Sequence, residues 1–201
     1  MVVHIQLLLV AGVISVICAV LNLFAATVPQ WYLTYPNAFT MGLGTTCAGN
    51  CQSTSYNTFG SNVFCQTGTA WHDREIAVEA LVWISIIIEI IMLILTLLAW
   101  HGKVTFQGTC QMVALAVVAA FPPFLVMCAL AAYGDMIQNW LFCNGSFCDL
   151  FAANRPNDDC GYGSSFICVI VGFFMALFAA VCYVVHACVD LEERRATLLE
   201  V

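Results

Sequence analysis

Charged residues are scarce in this chain of 201 residues. Asp, Glu, Lys and Arg together make up 8% of it, and Lys103 is the only lysine. Soluble domains carry about 25% charged residues. The formal net charge is −7, and no cluster of basic residues provides the footprint that a nucleic-acid partner needs. The composition therefore argues against a soluble domain and against nucleic-acid binding.

Signatures of catalysis and of metal binding are also missing. The sequence contains no serine elbow, no phosphate-binding Walker loop and no HExxH motif. Cys65 and His72 are candidate zinc ligands, but no pair of CxxC clusters completes a site. We therefore expect a non-enzymatic protein without a metal or another cofactor.

Long apolar runs are abundant, and 62% of the residues are hydrophobic. Four runs are each long enough to cross a hydrocarbon core of about 30 Å. They cover residues 5–28, 76–99, 110–134 and 164–189. Unpaired backbone amides are not tolerated in that core, so each run should be helical. The sequence predicts an all-α membrane protein, a bundle of four transmembrane helices that forms one domain over residues 1–201.

The basic residues predict how the chain is oriented. Lys103 lies in the short connector between the second and third runs, and the tail 190–201 carries two arginines. Because basic residues favour the cytosolic side, we expect both termini in the cytosol and two outer loops at residues 29–75 and 135–163. A multi-pass protein of the plasma membrane is the expected location, and an internal membrane with an oxidising lumen fits equally well.

Cysteine placement agrees with this orientation. Six cysteines fall in the two outer loops: Cys47, Cys51, Cys65, Cys143, Cys148 and Cys160. Disulfides persist outside the cytosol, and the six thiols allow 15 pairings, which remain open. Aromatic residues with Thr and Gly in the first loop favour short strands. We expect a small disulfide-braced extracellular β-sheet, and Asn144 is a candidate glycosylation site in the second loop.

Aromatic residues flank the predicted helices. Trp31 and Tyr32 follow the first run, and Trp140 follows the third. Aromatic belts of this kind occur at membrane–water interfaces. We expect these side chains to anchor the protein at the interface, or alternatively to contact another protein.

Small residues recur at four-residue spacing in two of the runs. The first run carries Ala11, Ser15 and Ala19, and the last carries Gly172, Ala176 and Ala180. Such stripes let helix backbones approach closely in lipid. They predict either packing within the bundle, which we prefer, or a dimer contact.

Two carboxylates lie within the second run. Glu79 is about one turn inside the outer boundary, whereas Glu89 is near mid-depth. An ionised group at mid-depth is costly unless it is paired, so such a residue is a functional hypothesis by default. Asn22 is a possible hydrogen-bond partner. Structural hydrogen bonding is the preferred interpretation of Glu89, and a proton or cation path is the alternative.

The layout and a few motifs resemble the claudin and peripheral-myelin-protein superfamily. Gly42, Leu43 and Cys47 are similar to its GLWxxC motif, with Gly44 at the tryptophan position, and Arg74 matches the arginine before its second helix. The resemblance implies a four-helix membrane protein with a long, cysteine-containing first outer loop.

A closer resemblance is to the amastins, tetraspan surface proteins of kinetoplastid parasites. Pro29 follows the first helix as it does there, residues 74–81 resemble the start of their second helix, and Tyr162, Gly163 and Phe166 resemble the start of their fourth. Asn37 stands where their first loop has a cysteine. The resemblance implies a surface protein without known catalysis that acts in host contact or membrane organisation.

These observations give one expected function and two alternatives. We expect a non-enzymatic cell-surface tetraspan for surface interaction or membrane organisation, whose partners are the lipid bilayer and other membrane proteins or further copies of itself. The alternatives are a proton or cation transporter or channel component that uses Glu89, and an accessory subunit of a larger membrane complex.

Overall fold

The described part of the chain is dominated by four long α-helices. The computed structural model describes residues 2–35, 39–43, 45–48, 50–53, 68–103, 109–140 and 159–199. Within them lie helices α1 (Val2–Thr27), α2 (Gly68–Trp100), α3 (Thr109–Asp135) and α4 (Ser164–Leu199). A π-helical turn, Met136–Trp140, continues α3.

All four helices are long and apolar enough to cross a membrane. The stretches that meet this requirement are Gln6–Thr27, Asp73–Trp100, Cys110–Gln138 and Ser164–Val189. Polar side chains such as Glu89 are buried, whereas large apolar ones such as Val13 and Phe174 are about 60% exposed. This distribution suits a chain whose surroundings are lipid rather than water. The predicted four-helix membrane architecture is confirmed.

The end of α2 is fixed by a glycine. Gly102 has a φ of 67°, a left-handed conformation that glycine adopts without strain. The amide of Lys103 donates to the Leu98 carbonyl at 2.9 Å, and the amide of Gly102 donates to the Ala99 carbonyl at 3.0 Å. These two bonds form the Schellman arrangement that commonly ends a helix, so the chain turns away directly after α2.

Two prolines lie inside α3, and the helix continues through them. Both Pro122 and Pro123 are buried. Proline has no amide hydrogen, so the carbonyls of Val118 and Ala119 lack the donors that residues 122 and 123 would otherwise supply.

The strands form one antiparallel sheet. They are β1 (Tyr32–Tyr35), β2 (Phe39–Met41), β3 (Thr45–Ala48), β4 (Asn50–Ser53) and β5 (Asp159–Tyr162), in the spatial order β4-β3-β2-β1-β5. The small sheet predicted for the first loop is therefore present. Its fifth strand comes from the second loop, where no strand was predicted, and pairs with β1 so that Leu33 lies opposite Gly161.

The chain divides into two units, each with its own core. The helical unit consists of Met1–Val20, Ile84–Leu125 and Val171–Val201, and the sheet unit consists of Leu21–Trp83 and Val126–Ile170. The core of the helical unit includes Leu8, Ala11, Ile14, Cys18, Met92, Leu115, Ala119, Ala176, Ala179, Ala180, Cys182 and Tyr183. Fully buried side chains of the sheet unit include Trp31, Tyr133, Met136, Ile137, Val78, Val82, Val126, Val169 and Asn22.

Small residues bring helices of the helical unit close together. Ala11 and Ala176 are buried in its core, and the Cys18 thiol lies 3.6 Å from the Gly172 carbonyl of α4. A Cβ atom added at Gly12 would lie 2.9 Å from Cγ2 of Thr96 on α2. These contacts support the packing interpretation of the stripes.

Candidate functional sites

Trp31 is the centre of the sheet unit rather than an interfacial anchor. Its side chain is completely buried, and its indole Nε1–H donates to the Ala25 carbonyl at 2.6 Å. The ring centroids of Tyr133 and Phe166 lie 4.8 Å and 5.9 Å away. Tyr32 is also buried. The prediction that these two residues face the interface or a partner is wrong. Trp31 packs against residues of α1, α3 and α4, and the ring of Tyr32 lies against Tyr162 of β5, with the ring centroids 5.5 Å apart.

Two glycines allow the strands to lie tightly against the helix ends. A side chain at Gly42 would collide with the backbone of Pro29, and one at Gly163 would collide with the carbonyl of Gln30. The Gly163 amide donates to the Trp31 carbonyl at 2.9 Å. Glycine is thus needed at position 42 because the chain that leaves α1 comes so close there. Its neighbour Leu43 is buried.

Serines at the start of α4 extend this junction. The Ser165 amide donates to the Gln30 carbonyl at 3.1 Å, and the Ser165 hydroxyl donates to the Val28 carbonyl at 2.9 Å. These bonds satisfy amide and carbonyl groups that would otherwise lack partners at two helix ends. The end of α1 and the start of α4 are therefore joined by backbone and side-chain bonds within the sheet unit.

Arg74 has a partner that the sequence did not indicate. Its guanidinium lies 3.0 Å from the carboxylate of Asp135 at the end of α3, with the two side chains 33% and 45% exposed. Glu75, the next residue, is buried. Glu79 is half-buried and accepts a hydrogen bond from Nε1 of Trp83 at 3.3 Å, so this carboxylate has a local partner on its own helix.

The cysteines predicted to form disulfides are only partly within the described residues. Cys47 and Cys51 lie directly opposite each other in the backbone register of β3 and β4. Cys160 lies on β5 and accepts a hydrogen bond from the Tyr32 hydroxyl at 3.5 Å. Three further candidates and the glycosylation candidate lie outside the described residues: Cys65, Cys143, Cys148 and Asn144. Disulfide bracing and glycosylation stay predictions.

The cysteines of the described helices are free thiols. They are Cys18, Cys110, Cys128, Cys168, Cys182 and Cys188. Cys18 and Cys182 are buried, whereas Cys110 and Cys188 are exposed. Cys160 of β5 is not among these free cysteines.

Glu89 lies in a polar region inside the helical unit. Its side chain is 3% exposed, and the Ser85 hydroxyl, one turn earlier on α2, donates to its Oε1 at 3.4 Å. Thr96 and Tyr183 are also buried, and their hydroxyls are 2.9 Å apart. Asn22, the predicted partner of Glu89, is a buried residue of the sheet unit, and their pairing stays a prediction.

Part of this polar region was not found from the sequence. Ser85 precedes Glu89 by four residues, a spacing that puts both side chains on one helix face, so this pair was detectable. Tyr183 was not, because only the packing of α4 against α2 brings its hydroxyl to that of Thr96.

Metal ligands do not cluster in the part of the chain that the structure describes. There, no group of three or more His, Cys, Asp and Glu side chains is arranged to hold a metal ion. The expectation that the protein binds no metal or cofactor stays a prediction, as does its assignment as a non-enzyme.

Four apolar helices of spanning length define a multi-pass membrane protein. No protein-family model matches the chain, and no curated protein matches it either.

Proposed function

We propose that this chain is a non-enzymatic four-span membrane protein whose sheet displays loops for contact with other proteins. The observation that carries the proposal is the mixed origin of the sheet: β5, from the connection between α3 and α4, pairs with β1, from the connection between α1 and α2. A rigid scaffold that positions loops is a common basis of protein recognition. The resemblance to amastins implies the same class of function.

The anchoring of the sheet supports this proposal. Strand β1 and the neighbouring chain lie directly against the helix ends, because Gly42 and Gly163 have no side chain at the points of close approach. The hydrogen bond from the indole of Trp31 to the Ala25 carbonyl joins β1 to α1. A loop mounted on such a base loses less freedom when it binds a partner. The proposal assigns the contact to residues 54–67, between β4 and α2, and to residues 141–158, before β5, which lie outside the described part of the chain.

We assign the sheet to the side away from the cytosol. Pairing of β1 with β5 requires both long connections to be on one side of the membrane. The basic residues in the connector between α2 and α3 and in the tail after α4 favour the cytosol for the opposite side. The opposed positions of Cys47 and Cys51 and the absence of Cys160 from the free thiols support disulfide bracing in an oxidising space. The plasma membrane is the proposed location, with an internal oxidising compartment as the alternative.

Site-specific photocrosslinking of the full-length protein in intact cells tests the proposed contact. A photoreactive amino acid is placed at Tyr56, in the connection between β4 and α2, and in a control protein at Phe174, which is 61% exposed on α4. The proposal predicts discrete protein adducts, including copies of the chain itself, from position 56 and mainly lipid adducts from position 174.

The crosslinking experiment also separates contact by the displayed loops from contact by the helices. Protein adducts from position 174 with none from position 56 would overturn the proposal in favour of an accessory subunit held by its helices. Absence of protein adducts from both positions would contradict a protein-contact function altogether.

A further inference from the structure

The free cysteines of the helical unit are of two kinds. Cys18 and Cys182 are buried in its core, whereas Cys110 on α3 and Cys188 on α4 are exposed. A buried cysteine packs as a small apolar residue. That role does not account for the two exposed thiols, which are open to chemical modification.

Both exposed thiols lie at the same boundary of the membrane. Cys110 is the first residue of the span Cys110–Gln138, and Cys188 lies one residue before the end of the span Ser164–Val189. The chain crosses the bilayer once in each direction between them, so the start of α3 and the end of α4 face the same side. Lys103, in the connector before α3, favours the cytosol for that side.

Each exposed thiol continues a stripe of exposed apolar side chains along its helix. On α3 the stripe that begins at Cys110 consists of Val113, Val117 and Phe121. On α4 the stripe that ends at Cys188 consists of Leu177, Val181, Val184 and Val185. Steps of three and four residues put the members of each stripe on one helix face. In a spanning helix such an exposed apolar face lies against lipid tails.

The length of each stripe matches the depth of one lipid leaflet. From Cys110 to Phe121 the helix rises about 16 Å, at about 1.5 Å per residue, and the same holds from Leu177 to Cys188. One leaflet contributes about 15 Å, half of the hydrocarbon core. A fatty acyl chain attached to either thiol therefore has an apolar helix face beside it over the whole leaflet.

We propose that Cys110 and Cys188 are sites of S-acylation by a long-chain fatty acid, a modification that occurs at cysteines beside membrane spans. The thiolate sulfur attacks the carbonyl carbon of an acyl thioester such as an acyl-coenzyme A. A new carbon–sulfur bond forms, the bond to the carrier sulfur breaks, and the carrier leaves as a thiol with the proton that the cysteine lost. The inference rests on the proposed orientation, because the acyl donor is cytosolic.

Acyl exchange on the full-length protein from cells tests these sites. Disulfides are reduced, free thiols are blocked with N-ethylmaleimide, thioesters are cleaved with neutral hydroxylamine, and the released thiols receive a maleimide–polyethylene glycol tag. The proposal predicts a species with two tags, one tag in each of Cys110→Ala and Cys188→Ala, and none in the double variant. Peptide mapping of the tagged wild-type protein locates the tags without any substitution.

The matched control is Cys168→Ala, near the opposite end of α4, which should keep both tags. Absence of tags that depend on hydroxylamine, or tags that persist in the double variant, overturns the proposal. A single tag overturns the assignment of the cysteine whose replacement leaves that tag in place.

A second label distinguishes a failure of acylation from a failure of the proposed orientation. Lys103→Cys, at an exposed position after α2, is introduced into the variant that lacks Cys110 and Cys188. The orientation predicts that an impermeant maleimide labels position 103 after digitonin opens the plasma membrane, but not in intact cells. Any other labelling pattern overturns the orientation and the acylation with it. The expected labelling without acyl tags on the wild-type protein overturns the acylation alone.

Discussion

The sheet unit and the helical unit are packed by different means. In the sheet unit, the large rings of Trp31, Tyr133 and Phe166 meet at one point, and backbone hydrogen bonds join strands to helix ends. In the helical unit, small residues such as Ala11 and Ala176 let the helices approach, and buried hydroxyls join them. The sheet unit is thus packed mainly around buried aromatic rings. The helical unit is packed mainly by the close approach of its helices.

The difference agrees with the elements that each unit contains, since the strands all belong to the sheet unit. Strands and connections outside the hydrocarbon can gain stability by removing aromatic surface from water. Helices within lipid gain little from burying apolar surface, because lipid tails are as apolar as a protein core, so they depend on close packing and interhelical hydrogen bonds. Substitutions that remove bulk should therefore lower the stability more in the sheet unit than in the helical unit. Substitutions that add bulk should lower the stability of either unit.

The largest expected effect is from removal of the central indole. Trp31→Ala should lower the free energy of unfolding by about 3–5 kcal/mol, because it leaves a large cavity. Trp31→Phe is the matched control, which keeps a ring but loses the bond to the Ala25 carbonyl, and should cost about 1–2 kcal/mol. Unfolding by added SDS in mild detergent measures both. Equal losses in the two variants would contradict the role of aromatic bulk.

A second substitution adds bulk at the junction of β5 and α4. Gly163→Ala should cost about 1–3 kcal/mol, because the new methyl group collides with the backbone at Gln30. Gly161→Ala on β5 meets nothing within 4 Å and should change the stability by less than about 0.5 kcal/mol. The same SDS titration compares them, and a similar cost for both would exclude the close approach as the reason for glycine at position 163.

A pair of glycines within helices should respond with opposite signs. Gly12→Ala should destabilise the helical unit by about 1 kcal/mol, because Thr96, whose hydroxyl is already bound, cannot readily move its methyl group aside. Gly134→Ala has 3.8 Å to the Tyr162 hydroxyl and should stabilise by up to about 1 kcal/mol. Changes in midpoint of the SDS titration give both signs, and a stabilising Gly12→Ala would refute tight packing of α1 on α2.

The smallest effect is expected at the ion pair of the sheet unit. Arg74 and Asp135 are both partly exposed, so the coupling energy from Arg74→Gln, Asp135→Asn and the double variant should be about 0.5 kcal/mol. It should weaken further at higher ionic strength. A double-variant cycle at two salt concentrations measures it, and a coupling that does not depend on salt would show that the pair is more shielded than its exposure suggests.

The sequence predicted the helices better than the strands because the two depend on different information. Each apolar run is a local signal, and Gly102 is a local stop for α2. In contrast, β5 reads Asp-Cys-Gly-Tyr, without the alternation typical of strands. It is a strand because β1, more than a hundred residues earlier in the chain, supplies its hydrogen-bonding partner.

The site residues follow the same rule. Glu89 was identified because an acid inside an apolar run stands out in the sequence. Trp31 was misplaced, because an aromatic residue at the end of a predicted span has the same pattern whether it faces the interface or the interior. Tyr183 was missed, since its partner Thr96 belongs to α2 and only the packed helices bring the two hydroxyls together.

Pairing of β1 with β5 is the central claim, because it joins the two long connections in one sheet. It is tested by oxidative crosslinking of Leu33→Cys with Gly161→Cys, which lie opposite each other, followed by non-reducing peptide mapping. The account predicts a linked peptide for this pair and a much weaker one for Leu33→Cys with Tyr162→Cys, which is shifted by one residue. No link in the matched pair, or equal linking in both, would contradict the account.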